Sequence, residues 1–128
     1  MKKENPVGSE TDFHQGDIID LDLDPRTGHE QSGYRPAVIV SRDLFHRTSG
    51  LLVVCPITSK DRKSPFHIPL TGASNTTGFV LCDQVRTIDP AARNARYRGR
   101  ISMHELFEVS DTLAGMMEVL QETTEIVP

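Results

Sequence analysis

The stretch "TGHEQSGYRP", residues 27–36, sets Glu30 five residues ahead of Arg35 in a glycine-flanked loop that runs directly into an apolar segment. A carboxylate can take a proton from a nucleophile, and a guanidinium can clamp an anion through its fork of donors. The same two groups can also neutralise each other as a surface ion pair, and spacing alone leaves both readings open. His29, beside Glu30, adds a group that titrates near neutral pH; it can deliver a proton, or serve structure or substrate contact. Other familiar sources of reactivity are missing from the sequence. The histidines at 14, 29, 46, 67 and 104 have no H-x-x-x-H or Cys/His zinc spacing, and no G-x-S-x-G, Walker or G-x-G-x-x-G pattern occurs. A metal-free, cofactor-free mechanism is therefore the one to consider. Asp20, Asp22 and Asp24 would share one strand face, but a row spaced about 7 Å apart reads as a solvated face, because ligands for a hard cation converge from loops.

These side chains need a scaffold, and the sequence reads as a mainly β domain. In "GDIIDLDLDP", residues 16–25, Ile19, Leu21 and Leu23 alternate with aspartates, the period of a half-buried strand that Pro25 ends. Further strands are predicted at "PAVIVS" (36–41), "GLLVVCPIT" (50–58), "FHIPL" (66–70) and "GFVLCDQVRTI" (78–88), with Gly and Pro in the gaps. Short strands without long helical patterns between them imply a small barrel. One helix closes it. In "SMHELFEVSDTLAGMMEVLQ", Leu106, Val109, Leu113, Met116 and Leu120 recur at spacings of three and four, and Ser102 with Glu105 forms an S-x-x-E capping pattern. Its methionines read as core and its acidic outer face as solvated. Cys55 and Cys82, both in strand-like apolar surroundings, read as buried reduced thiols.

With 128 residues, 37% of them hydrophobic, the chain suits a single domain over residues 13–122, with residues 1–12 a disordered N-terminal tail and residues 123–128 a C-terminal tail. No apolar run approaches the roughly 20 residues that span a bilayer, and the opening lysines lack an apolar segment behind them, so a cytoplasmic protein without a membrane partner is expected. The net charge of −4 conceals a partition: residues 1–30 sum to −5, residues 31–100 to +7 and residues 101–128 to −6. A positive centre between acidic ends can attract a polyanion, although scattered solvated arginines would give the same sum.

Taken in order, "GDIIDLDLDPRTGHEQSGYRPAVIVS", "VVCPITSK" and "GFVLCDQVRTID" resemble the MazF/PemK family of toxin endoribonucleases over roughly residues 14–121. The resemblance implies an SH3-like barrel with a C-terminal α-helix, a homodimer, metal-independent cleavage of single-stranded RNA at short sequences, and inhibition by a cognate antitoxin. Such cleavage uses the 2′-hydroxyl as nucleophile. It needs a base, positive charge on the phosphorane and a donor to the leaving 5′-oxygen. By resemblance Glu30, Arg35 and Thr58 match one catalytic set. His29 and Asp83 match a second, whose Arg position is occupied here by Leu81. A guanidinium that stays protonated is a poor acid, which favours His29 as proton donor on intrinsic grounds.

Lys60, Arg62 and Lys63 in "SKDRKSP" form a basic segment suited to a phosphate backbone, and Tyr34 can stack on a base. Gln84 and Arg86 match positions lining the family's RNA groove, with Gln31 and Ser59 as neighbouring RNA contacts. The run "RNARYRGR" is the most basic, yet it precedes the helix and reads as a dimer or solvated edge. Two other classes fit the same elements: a non-catalytic toxin of the same barrel type, CcdB-like, that binds a protein target such as DNA gyrase, and a plain RNA-binding barrel.

Overall fold

The computed structural model describes residues 12–23, 34–72 and 74–118. They run β1 (Asp17–Asp22), β2 (Tyr34–Ile39), α1 (Asp43–Ser49), β3 (Leu52–Thr58), β4 (His67–Thr71), β5 (Thr77–Leu81), a one-turn 3-10 helix (Cys82–Gln84), β6 (Arg86–Ile88), β7 (Arg96–Arg100) and α2 (Met103–Met117). All pairings are antiparallel, in the order β4-β5-β3-β2-β1-β7, with β6 beside β3. This is a mainly β half-barrel with a C-terminal helix. The central strands are apolar on both faces because each face has its own cover. Ile19, Leu21, Ala37, Ile39, Leu52 and Val54 fill one cluster; Ile18, Val38, Cys55, Ile57 and Val80 fill the other, together with Leu106 and Val109 of α2.

The expected strand over 78–88 is two strands. Ile57 pairs with Val80, a ladder that would set Val54 against Asp83, yet Val54 pairs with Arg86. The 3-10 turn takes up the three extra residues, as an enlarged bulge does, and lifts Asp83 and Gln84 out of the ladder. α1 is not predicted by the sequence pattern. It has no buried residue and hence no apolar stripe to read, and Gly50 ends it at φ 78 with its N–H donating to the His46 carbonyl. β7 lies in the basic run read as a dimer or solvated edge. Its arginines are committed within the fold: Arg98 binds Asp20 and Thr76, Arg100 binds Asp17 at 2.6 Å, and Arg93, just before the strand, donates to the Asp22 and Leu23 carbonyls. The aspartate face read as solvated is correspondingly covered, with Asp22 accepting from Asn94; Asp24 lies outside the described residues.

The capping box forms. The Ser102 hydroxyl accepts from the Glu105 N–H, while the two Glu105 oxygens accept from the N–H groups of Ser102 and Thr71, tying α2 to β4. Burial opposes the charge on Glu105, but these backbone donors outweigh it and hold the carboxyl below its usual range. Leu106, Val109 and Leu113 are the apolar residues of α2 that pack on the sheet's core cluster. Met103, Met116 and Met117, before and after those residues, are exposed rather than core, and Leu120 lies outside the described residues, as do both expected tails except Asp12. Cys55 and Cys82 are fully buried free thiols in mutual contact; the hydrogen bond to Cys82, together with burial, holds the Cys55 proton far above the ordinary thiol range.

His14 lies between two carboxylates, with Nε2 at 2.8 Å from Asp12 and Nδ1 at 2.9 Å from Asp43 at the start of α1. The hydrogen bond to Asp43 raises its pKa against a burial effect that opposes it, and the charges of Asp12 and Asp43 add to the rise. A folded pKa above the unfolded 6.5 means the contribution to stability is complete below 6.5 and lost as pH rises through the folded value. Melting temperature should fall modestly from mildly acid to mildly alkaline buffer. His14→Gln should flatten that slope, and an unchanged slope would refute the assignment.

Candidate active site

Side chains from five neighbouring segments converge on a groove of about 430 Å³. Arg35 enters from the start of β2, Thr58 from the end of β3, Arg62 from the following loop, Gln84 from the 3-10 turn and Arg86 from β6, over a floor of Leu23, Pro56, Ile57 and Leu81. The fold thus brings together five of the residues singled out from sequence. Three guanidiniums and no described carboxylate line the groove, so its potential favours an anion. Arg35 is exposed and makes no ion pair with a described residue. The Thr58 hydroxyl accepts from the Lys60 N–H at 3.2 Å, which leaves its own proton to donate to a ligand oxygen. A second depression, of about 350 Å³, lies beside Phe13, His46 and Pro90; it holds one guanidinium, that of Arg96, and no carboxylate.

Other expected residues stand apart from the groove lining. Tyr34 is half-exposed, and its hydroxyl donates to the Asn94 carbonyl at 2.8 Å, which draws the ring toward the β7 side. Ser59, Lys60 and Lys63 are exposed on the loop after β3, where Asp61 accepts from the Lys63 N–H and sets a local turn. Asp83 is on the 3-10 turn, and its carboxylate meets Nε2 of His67 at 3.1 Å. His67 carries no local sequence signal, since its partner is 16 residues away across β4 and β5. His29, Glu30 and Gln31 lie outside the described residues.

Gly78 sets the distance between β5 and Thr58. Its φ is +121°, and a Cβ there would come within 2.4 Å of the Thr58 carbonyl oxygen. Gly78→Ala combines a disfavoured backbone with a collision against backbone, together worth about 2–4 kcal/mol of stability. It should lower the melting temperature and weaken ligand binding in the groove. A variant as stable as the wild type would contradict this close approach.

Residues 14–117 match the family model described as PemK-like, MazF-like toxin of type II toxin-antitoxin system. The chain is 39% identical over 115 residues to the Endoribonuclease PemK of Escherichia coli, covering 87% of this chain and 86% of that protein. Its fold is similar to the crystal structure of MazF (Form-I) from Deinococcus radiodurans, with a TM-score of 0.73 and 31% identity over 83% of this chain and 96% of that one. It is also similar to the MazE-MazF (Form-II) structure from the same organism, with a TM-score of 0.71 and 28% identity over 83% and 95% of the two chains.

Proposed function

Since the chain belongs to the PemK-like, MazF-like toxin family of type II toxin-antitoxin systems, we infer that it is an endoribonuclease toxin that cuts single-stranded mRNA at short sequences and so arrests translation and growth. The observation that carries this reading is the groove where Arg35, Thr58, Arg62, Gln84 and Arg86 meet. The 2′-hydroxyl attacks the adjacent phosphorus; the P–O2′ bond forms and the P–O5′ bond breaks, leaving a 2′,3′-cyclic phosphate and a 5′-hydroxyl. Arg35 and the Thr58 hydroxyl hold the phosphorane oxygens, where charge accumulates. Glu30 is the base for the 2′-hydroxyl proton, supported by its place five residues before Arg35 and by the family motif it matches. His29 supplies the proton to the leaving oxygen, which a guanidinium does poorly. Asp83, on the 3-10 turn next to Gln84, is a second acceptor for a ribose hydroxyl. Arg62, Arg86 and Gln84 bind the flanking backbone, with Gln31, Tyr34, Ser59, Lys60 and Lys63 as outer contacts.

The similar MazE-MazF structure supports a cognate antitoxin as partner. An acidic segment with a few apolar anchors suits a groove lined by guanidiniums, where its carboxylates would replace phosphates. A homodimer is supported by the exposed apolar side chains Leu44, Phe45, Met103 and Phe107 on the two helices. No described helix is long and apolar enough to cross a membrane. The test of the nuclease reading is to incubate the purified chain with a long RNA in EDTA and map the product ends. Cuts at a short recurring sequence with 5′-hydroxyl ends are expected. Binding without scission would instead fit a non-catalytic toxin or a plain RNA-binding barrel.

A further inference from the structure

The His67 ring is 6% exposed, its Nδ1 is buried, and no described residue bonds to that atom. Its other nitrogen reaches Asp83 Oδ1 at 3.1 Å. A neutral imidazole has one donor nitrogen and one acceptor, and a buried nitrogen without a partner is better left bare than protonated, so Nε2 carries the proton and donates to Asp83. The backbone makes this meeting obligatory. His67 stands opposite Leu81 in the β4–β5 ladder, and the Cys82 N–H donates to the Phe66 carbonyl, so pairing extends one step beyond β5 and the chain delivers Asp83 to the ring. Leu81 and Gln84, on either side of Asp83, both line the groove. Asp83 itself is 42% exposed, and its Oδ2 takes no hydrogen bond from a described residue. Water alone would satisfy such a carboxylate. A buried imidazole with one orphaned nitrogen is a local cost that calls for an explanation, and aiming Asp83 supplies one.

We propose that His67 is a positioning residue for the RNA cleavage inferred above, on which this reading rests: its Nε2–H fixes one oxygen of Asp83 so that the other faces the groove. A carboxylate does not bind phosphate; it accepts a hydrogen bond, and the ribose hydroxyl is a donor that RNA brings. Loss of the imidazole should therefore slow turnover more than it weakens binding.

The experiment measures kcat and KM on a short RNA for wild type, His67→Leu, His67→Gln, Asp83→Asn and the His67→Leu/Asp83→Asn double variant, with a melting curve for each. His67→Leu should lower kcat by about ten- to a hundredfold, as misplacement of a reacting group does, with KM little changed. His67→Gln, whose amide can replace the Nε2 donor, should recover most of it, and the double variant should be no slower than Asp83→Asn alone. Wild-type kcat in His67→Leu, or losses that multiply in the double variant, would overturn the proposal while leaving the nuclease reading intact. A wild type that leaves RNA whole overturns both. If His67→Leu does not fold, imidazole ¹⁵N signals of the wild type decide. Nε2 must be the protonated nitrogen and must shift when a product strand ending in a 3′-phosphate, which keeps its 2′-hydroxyl, binds; a bare Nε2 or an unmoved signal rejects the role.

Discussion

Arg35→Ala should lower kcat by about a hundredfold or more while the protein melts as the wild type does. Arg35 is exposed at the start of β2, and the residues that hold the strand in the core are Ala37, Val38 and Ile39, so the fold does not depend on the guanidinium. The groove does. Of its three cations, Arg35 shares the lining with Thr58, the residue whose hydroxyl proton is left to a ligand. Removing one preorganised donor from developing anionic charge costs about 2.7–4 kcal/mol of transition-state stabilisation, which corresponds to roughly 10²–10³ in rate. Arg35→Lys should recover little, because an ammonium offers a point charge in place of two parallel N–H donors to two phosphoryl oxygens. Steady-state kinetics on a short RNA will distinguish the cases. A Lys variant with near wild-type turnover would mean that charge alone suffices, and an Ala variant that raised only KM would move Arg35 from catalysis to ground-state binding.

Where the sequence carried a periodic signal, the fold was legible. The alternation of Ile19, Leu21 and Leu23 marks β1, and Ser102 with Glu105 marks the start of α2, because burial and capping act within a few residues. α1 escaped notice because a helix with no buried residue imposes no pattern. β7 escaped for the opposite reason: its alternation is of Arg96, Arg98 and Arg100 with Tyr97 and Gly99, and it reads as charge until Asp17 and Asp20 are seen to accept from it. The break at Cys82–Gln84 depends on β3 changing partner from β5 to β6, a long-range event without local cause. In the site, Arg35, Thr58, Gln84 and Arg86 were legible because they stand in ordered motifs. His67 was not, because its meaning comes only from the register that sets it beside Asp83.

A substrate lacking one oxygen provides the sharpest test of the chemistry. An RNA with a single 2′-deoxy sugar at the cut position should bind as the parent does yet resist scission, by at least about 10³-fold, because oriented intramolecular attack has effective molarities of about 10⁵ M or more that water cannot match. Nothing else in the groove changes. Arg35, Arg62 and Arg86, which line it, should meet the same phosphates as before, and Gln84 the same neighbours. The deoxy strand should therefore inhibit cleavage of the parent competitively, with an inhibition constant near the parent's own dissociation constant. This separates two mechanisms that the cationic lining alone would serve equally well. If an activated water were the nucleophile, the phosphorane would still form and the three guanidiniums would still stabilise it, so the deoxy strand would be cut at a comparable rate. Efficient cutting of that strand would remove the 2′-hydroxyl from the reaction, and with it the task assigned to Glu30 and Asp83; resistance combined with tight competitive binding would leave the ribose as the nucleophile and the groove as the cradle of its phosphate.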